Sequence, residues 1–232
     1  MKNLKRFITT IVFPVAITTM YAQDFILTAD RKTYWTRENI TNIKDINEVI
    51  VEVGRRIVRV PTSEIVLIEY EKNGLVILQP ERIRKVEPVA FDGDLMSFME
   101  KGKRVYIPYS SKDICQRSGA RHLRDLLSES DYWEVVYTED EADIILEYIF
   151  DDEGIDHAYL MVSDRRGTPV LSTSSVRARD INPTTAGEES ARKLYKNVFE
   201  KCILKGKLKN YSKKRKKPNK KNHDCLYFIP LY

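Results

Sequence analysis

The chain has 232 residues, 42% hydrophobic and 31% charged, with a formal net charge of +5. That length allows one or two ordinary domains, and the composition fits a soluble globular chain. Its three cysteines, Cys115, Cys202 and Cys225, match no disulfide framework and include no C-x-x-C or Cys/His ligand pair, which argues against a disulfide scaffold and a zinc site.

The chain opens with Lys2, Lys5 and Arg6, then an uncharged, mostly apolar run from Ile8 to Met20. Small Ala22 follows, just before polar residues resume. Positive, apolar, then small is the order of a secretory signal peptide, here residues 1–22. The run is shorter than the ~20 apolar residues of a spanning helix and is broken by Thr9, Thr10, Pro14, Thr18 and Thr19. A cleaved signal is therefore expected rather than a retained anchor, with a soluble periplasmic or extracellular product. The bulky Met20 makes the cleavage site imperfect. No cysteine stands near residue 22, so a lipid-attachment signal is not expected.

Residues 23–88 read as a small all-β domain. Asp24 to Asp30 opens a strand. Val49–Val53 and Ile57–Val60 flank the break Gly54-Arg-Arg56. Val66–Tyr70 and Leu75–Leu78 flank Asn73-Gly74, a pair that accepts the positive φ angles of tight hairpins. Residues 89–102, with Gly93 and Gly102 and no sustained period, read as a linker.

Residues 103–204 read as an α+β domain. A strand over 104–109 precedes a helix over 111–130, with Ile114, Cys115, Ser118, His122 and Leu126 recurring at helical spacing beside Leu123 and Leu127. Strands follow over 132–137, 143–150, 157–163 and 169–176. A last helix is expected from Thr185, where Thr185-Ala-Gly-Glu188 makes a capping box. Its face carries Ala191, Leu194, Val198 and Cys202, with Tyr195, Phe199 and Ile203 beside it. The order β-α-β-β-β-β-α predicts helices packed on a mostly antiparallel sheet. Cys115 and Cys202 read as buried thiols.

Residues 205–232 read as a basic tail. Ten Lys and Arg and no acid lie between Lys205 and Asn222. Setting these and the three early cations aside leaves 26 basic against 33 acidic residues in 23–204, so the body is acidic, near −7. Lys213, Lys214, Arg215, Lys216, Lys217, Lys220 and Lys221 are the candidate polyanion-binding residues, since clustered cations attract phosphate or carboxylate polymers. Only Tyr211 interrupts the cations as an aromatic, so base stacking and sequence-specific nucleic-acid binding are not indicated. The apolar end, Cys225 to Tyr232, suits docking on a partner or on the chain's own surface.

Other chemistry is thin. Asp151-Asp-Glu153 with Asp156 and His157 could hold calcium, but the spacing is not that of an EF-hand and fits a solvated hairpin tip. His122 follows Cys115 by two helical turns, about 10 Å of rise, which is too far for a nucleophile pair. Ser110 and Ser111 lack a nucleophile elbow, and the glycines are scattered rather than gathered in a phosphate loop. No enzymatic role, cofactor or metal is expected.

Arg104-Val-Tyr-Ile-Pro, Tyr132-Trp-Glu-Val-Val, Glu141-Ala-Asp-Ile-Ile-Leu-Glu-Tyr and Val162-Ser-Asp-Arg-Arg-Gly-Thr-Pro-Val-Leu-Ser-Thr-Ser carry a resemblance. With the helix between them, they look like the amino-terminal domain of the TolB protein and related envelope lipoproteins, such as curli-assembly and penicillin-binding-protein-activator factors. The resemblance spans about 100 residues and rests on one Ala-Asp and one Asp-x-x-Gly. It implies a non-enzymatic protein-interaction module with an envelope protein partner. Residues 57–74 are similar to small β domains of secreted proteins of unknown role. An alternative is a module that binds polyanions or anionic lipid headgroups through the tail.

Overall fold

In the computed structural model the described residues are 24–36, 40, 43–53, 56–70, 74–109, 113–151, 157–178, 182–204 and 226–228. The expected signal segment, most of the Asp151–His157 acid cluster and all seven candidate polyanion-binding residues lie outside them.

The first unit is built from β1 (Phe25–Thr28), β2 (Thr33–Trp35), β3 (Glu48–Val53), β4 (Arg56–Pro61), β5 (Ile65–Tyr70) and β6 (Gly74–Ile77). Four of these strands form an antiparallel sheet in the order β2-β1-β5-β6, and β3–β4 is a separate two-stranded ribbon. Gly74 takes φ +79° at the start of β6, as the Asn-Gly turn predicts. β1 is buried along its whole length and β5 from Ile65 to Glu69. Such continuous burial requires cover on both faces. On one face Ile26, Ile65 and Ile68 pack with Val49, Val51 and Val60 of the ribbon. On the other, Phe25, Leu27, Val66 and Leu67 pack with Ile83 and with Tyr137 of the second unit.

The second unit begins with α1 (Leu95–Phe98), which lies inside the segment expected to be a linker. Its Leu95 and the following Met99 belong to the second unit's core. Next come β7 (Arg104–Tyr106), α2 (Ile114–Ser128), β8 (Glu134–Val136), β9 (Ile144–Asp151), β10 (His157–Asp164), β11 (Pro169–Thr173), β12 (Val176–Arg177), α3 (Pro183–Leu194) and β13 (Leu226–Phe228). The sheet runs β13-β11-β10-β9-β7-β8, with β12 pairing β10. The fold is α+β, with helices on a mostly antiparallel sheet. β7 is parallel to both its neighbours, β8 and β9, because α2 carries the chain back across the sheet between β7 and β8.

Along β9, Ile144, Leu146 and Tyr148 are buried and Ile145, Glu147 and Ile149 only partly so. β10 alternates likewise over Ala158, Leu160 and Val162. The period of two marks a sheet with one face in the core. The helices cover that face, α2 and α3 packed against each other through Gly119 and Gly187.

Three details differ from the sequence expectations. α2 starts at Ile114, with Asp113 accepting a bond from the Gln116 amide. Its buried face is Arg117, Gly119, Ala120, Leu123, Arg124 and Leu127. Ile114 is exposed, and Cys115 and His122 sit on a half-buried flank. Glycine and arginine are invisible to an apolar count, which is why the face is displaced. α3 starts two residues before Thr185: Asn182 caps the amides of Thr184 and Thr185, and Pro183 occupies the first turn, where no amide proton is needed. Beyond Leu194 the helix widens into π-type turns over Tyr195–Ile203.

The cysteines also divide. Cys115 keeps its thiol, whereas Cys202 is buried but disulfide-bonded, correcting the thiol reading there. β13 pairs antiparallel with β11, Leu226 opposite Thr173 and Phe228 opposite Leu171. Part of the apolar end thus docks on the chain's own sheet. The basic cluster lies in sequence between a helix ending at Ile203 and this strand.

Candidate functional site

The two units meet through a polar and aromatic junction. Glu69 on β5 and Arg124 on α2 are 2% and 3% exposed, with Glu69 Oε2 2.7 Å from Arg124 Nη1. The Arg124 Nε and Nη2 groups donate to the Ile107 carbonyl at 3.0 and 2.6 Å. The Tyr109 amide donates to Glu69 Oε1 at 3.2 Å. The guanidinium lies near the rings of Phe25, Tyr109 and Tyr137, and Phe25 and Tyr137 stack across the junction at 5.0 Å. Arg121 covers Trp35 at 4.0 Å. A charge this deeply buried needs both an opposite charge and hydrogen bonds, and the two units supply them jointly.

Beside this junction is an open cleft of about 220 Å³. The first unit contributes Arg31, and Arg82 and Arg84 come from the segment after it. The second unit contributes Arg104, Glu134, Val136 and Glu141. Ile83 is buried, and its backbone is extended at φ −85°, ψ 121°. Alternating side chains therefore send Arg82 and Arg84 to the same, outer side, where both are exposed. Neither forms an ion pair among the described residues.

Arg31 holds a left-handed backbone, φ 63°, in the β1–β2 turn, a conformation that costs a non-glycine residue about 1 kcal/mol. From there its Nη1 reaches Glu141 Oε1 at 3.0 Å. Glu141 is 2% exposed, and its other oxygen accepts from the Thr138 hydroxyl at 3.2 Å. The carboxylate is thus fully engaged.

Arg104 forks onto Asp143, Nη2 to Oδ1 at 2.6 Å and Nε to Oδ2 at 3.0 Å, while its backbone amide donates to Oδ2 at 2.9 Å. Burial works against the Asp143 charge, but the side-chain and backbone bonds from Arg104 outweigh it and hold the carboxyl below the ordinary range. The same bond raises the Arg104 guanidinium. The remaining Nη1 of Arg104 is buried and has no hydrogen-bond partner among the described residues.

A depressed carboxyl stabilises the fold above its unfolded pKa, and that contribution is lost as pH falls through the lower folded value. Stability should therefore drop below about pH 4. In Asp143→Asn, urea midpoints measured from pH 2 to 7 should be lower at neutral pH, with a flatter acid limb. An unchanged limb would mean that the Arg104 fork does not hold the carboxyl down.

Both motif aspartates are committed to structure. Asp143 ties β9 to β7. Asp164, 2% exposed, accepts amides from Arg166 and Thr168 around Gly167, which has φ +77°, and a third from Phe91. The four arginines of the cleft escaped sequence reading. The Arg82-Ile-Arg84 alternation was their one local signal; Arg31 and Arg104 lie too far away in sequence to be joined to it.

A second void, about 20 Å³, is lined by core side chains such as Leu123, Trp133 and Phe199 and is a packing gap. Among the described residues no three His, Cys, Asp or Glu gather as a metal site, and no helix is long and apolar enough to cross a membrane.

No family model matches the chain, and no curated protein does. Among solved structures it is similar to the solution structure of an uncharacterized lipoprotein B from Nitrosomonas europaea. The identity is 14%, over 53% of this chain and 88% of that one, with a TM-score of 0.26.

Proposed function

We propose that the chain is an exported, non-enzymatic interaction protein of the cell envelope that recognises an anionic group in its arginine-lined cleft. The observation that carries this reading is the cleft itself. Guanidinium groups bind carboxylates and phosphates through forked, charge-assisted hydrogen bonds and supply neither a nucleophile nor a base. The one buried carboxylate in the lining, Glu141, is already held by Arg31 and Thr138. The junction beside it keeps the two walls in register, which lowers the ordering cost of binding. The signal-like first 22 residues, the disulfide at Cys202, which suits an oxidising compartment, and the resemblance of residues 103–204 to envelope modules support the address.

A second reading places polyanion binding on the basic segment. The concentration of ten Lys and Arg between Lys205 and Asn222, against an acidic body, favours it. It is tested by neutralising Lys213 to Lys221, because truncation after Leu204 also removes β13 from the sheet.

A photo-cross-linking residue at Glu134, on the cleft rim, should give a discrete adduct in the envelope fraction of cells. The adduct should persist when Lys213 to Lys221 are neutralised and vanish in Arg82→Gln/Arg84→Gln. Persistence in the arginine variant with loss in the neutralised one would transfer the role to the basic segment. A cytoplasmic protein with its first 22 residues intact would overturn the envelope reading.

A further inference from the structure

We propose that the cleft is a phosphate site, taking a phosphate ester on a hydroxyl-bearing carrier. The inference rests on the reading of the cleft as a recognition site and specifies its ligand. Donors decide the class. One nitrogen of Arg31 is spent on Glu141, and two nitrogens of Arg104 are spent on Asp143. What remains is the whole of Arg82, the whole of Arg84, the Nε and Nη2 of Arg31, and the Nη1 of Arg104, which is buried without a hydrogen-bond partner among the described residues. These donors come from separate parts of the chain, Arg31 from the β1–β2 turn, Arg82 and Arg84 from the chain after β6 and Arg104 from β7. A planar carboxylate offers two oxygens in one plane. A phosphate monoester offers three non-bridging oxygens on different sides, which suits donors arriving from several segments of the lining.

Charge points the same way. With Arg31–Glu141 and Arg104–Asp143 neutral as pairs, the cleft keeps Arg82 and Arg84 against the single exposed carboxylate of Glu134. That carboxylate is an acceptor, and a hydroxyl on the phosphate's carrier can donate to it. Glycerol phosphate has this combination: the free monoester offers three non-bridging oxygens, and as the diester headgroup of a lipid it keeps two of them and the carrier hydroxyls.

The test uses the full mature chain. Glycerol 3-phosphate, inorganic phosphate and citrate are titrated calorimetrically, and vesicles of phosphatidylglycerol or phosphatidylcholine are used for flotation. Glycerol 3-phosphate should bind one to one, more tightly than citrate. Arg82→Gln/Arg84→Gln should weaken it roughly tenfold or more, since each charge-assisted bond contributes on the order of a tenfold factor. Both side chains are exposed, so an unchanged melting temperature is expected and separates binding from folding. Arg31→Gly keeps the left-handed turn and frees the Glu141 carboxylate, so it should also weaken binding. Neutralising the seven basic residues between Lys213 and Lys221 should leave it unchanged. Flotation with phosphatidylglycerol that is lost in the arginine variant assigns a lipid source; binding of glycerol 3-phosphate without flotation assigns a free one. Citrate binding as tightly as phosphate, or affinity that follows the basic segment instead of Arg82 and Arg84, overturns the proposal. A retained cross-link at Glu134 alongside absent phosphate binding would sink this inference while leaving the interaction reading standing.

Discussion

Replacing Arg124 by alanine is expected to lower folding stability by about 3–5 kcal/mol, the usual cost of removing one partner from a buried ion pair. The loss is large because of what stays behind. Glu69 remains 2% exposed with its charge unopposed, and the Ile107 carbonyl loses both donors. The pair itself is worth much less than this figure, because each charge was desolvated to make it. Glu69→Gln/Arg124→Met should therefore retain most of the stability that Arg124→Ala loses. Urea unfolding of the single and double variants measures both quantities. A loss under about 1 kcal/mol in Arg124→Ala would show that water reaches Glu69 and that the junction is not sealed. The same variant should impair the cleft, since Arg31, Arg82 and Arg84 face Arg104 only while the two units stay docked.

Gly187→Ala should destabilise, against the sign expected of its position. In an open helix interior, alanine in place of glycine gains about 1 kcal/mol. Here an added methyl would collide with the Cys115 carbonyl oxygen and the Ser118 hydroxyl of α2, and it would stand 2.9 Å from the Gly119 amide nitrogen. Backbone cannot move aside as a flexible side chain can, so the helices must part, at about 1–3 kcal/mol. Their separation also disturbs Tyr148, whose hydroxyl is 2.7 Å from Ser190 Oγ and 3.3 Å from the Gly187 carbonyl. Thermal unfolding gives the sign directly. A gain in melting temperature would mean that α2 and α3 are not held at glycine distance.

Much of the fold was legible because local patterns record it. The apolar runs on either side of Gly54-Arg-Arg56 and of Asn73-Gly74 pair as antiparallel strands, over Glu48–Pro61 and Leu67–Ile77. Strand period dominates before residue 88, and helical period enters with α2. The face of the last helix was also readable: Ala191, Leu194, Val198, Phe199, Cys202 and Ile203 are all buried. The start of α3 was misplaced because two capping patterns overlap there, and Asn182-Pro183 prevails over Thr185…Glu188.

The candidate site was barely legible. An arginine in a sequence is scored as surface, yet Arg124 is core and Arg104 is largely buried, because carboxylates 55 and 39 positions away receive them. The basic cluster at 213–221 was conspicuous because its charges are consecutive. The cleft was not, because its charges are dispersed from residue 31 to residue 104.

Composition, hydrophobic period and turn residues thus determine by themselves most of the strands, the two long helices, an acidic body and a basic segment, since each of these depends on neighbours within a few positions. Which strands run parallel, which arginines are spent in pairs and which remain free to bind, and that the chain's end returns to the sheet as β13 depend on contacts between distant segments. Those contacts form only when burial brings the segments together, so only the tertiary structure decides them.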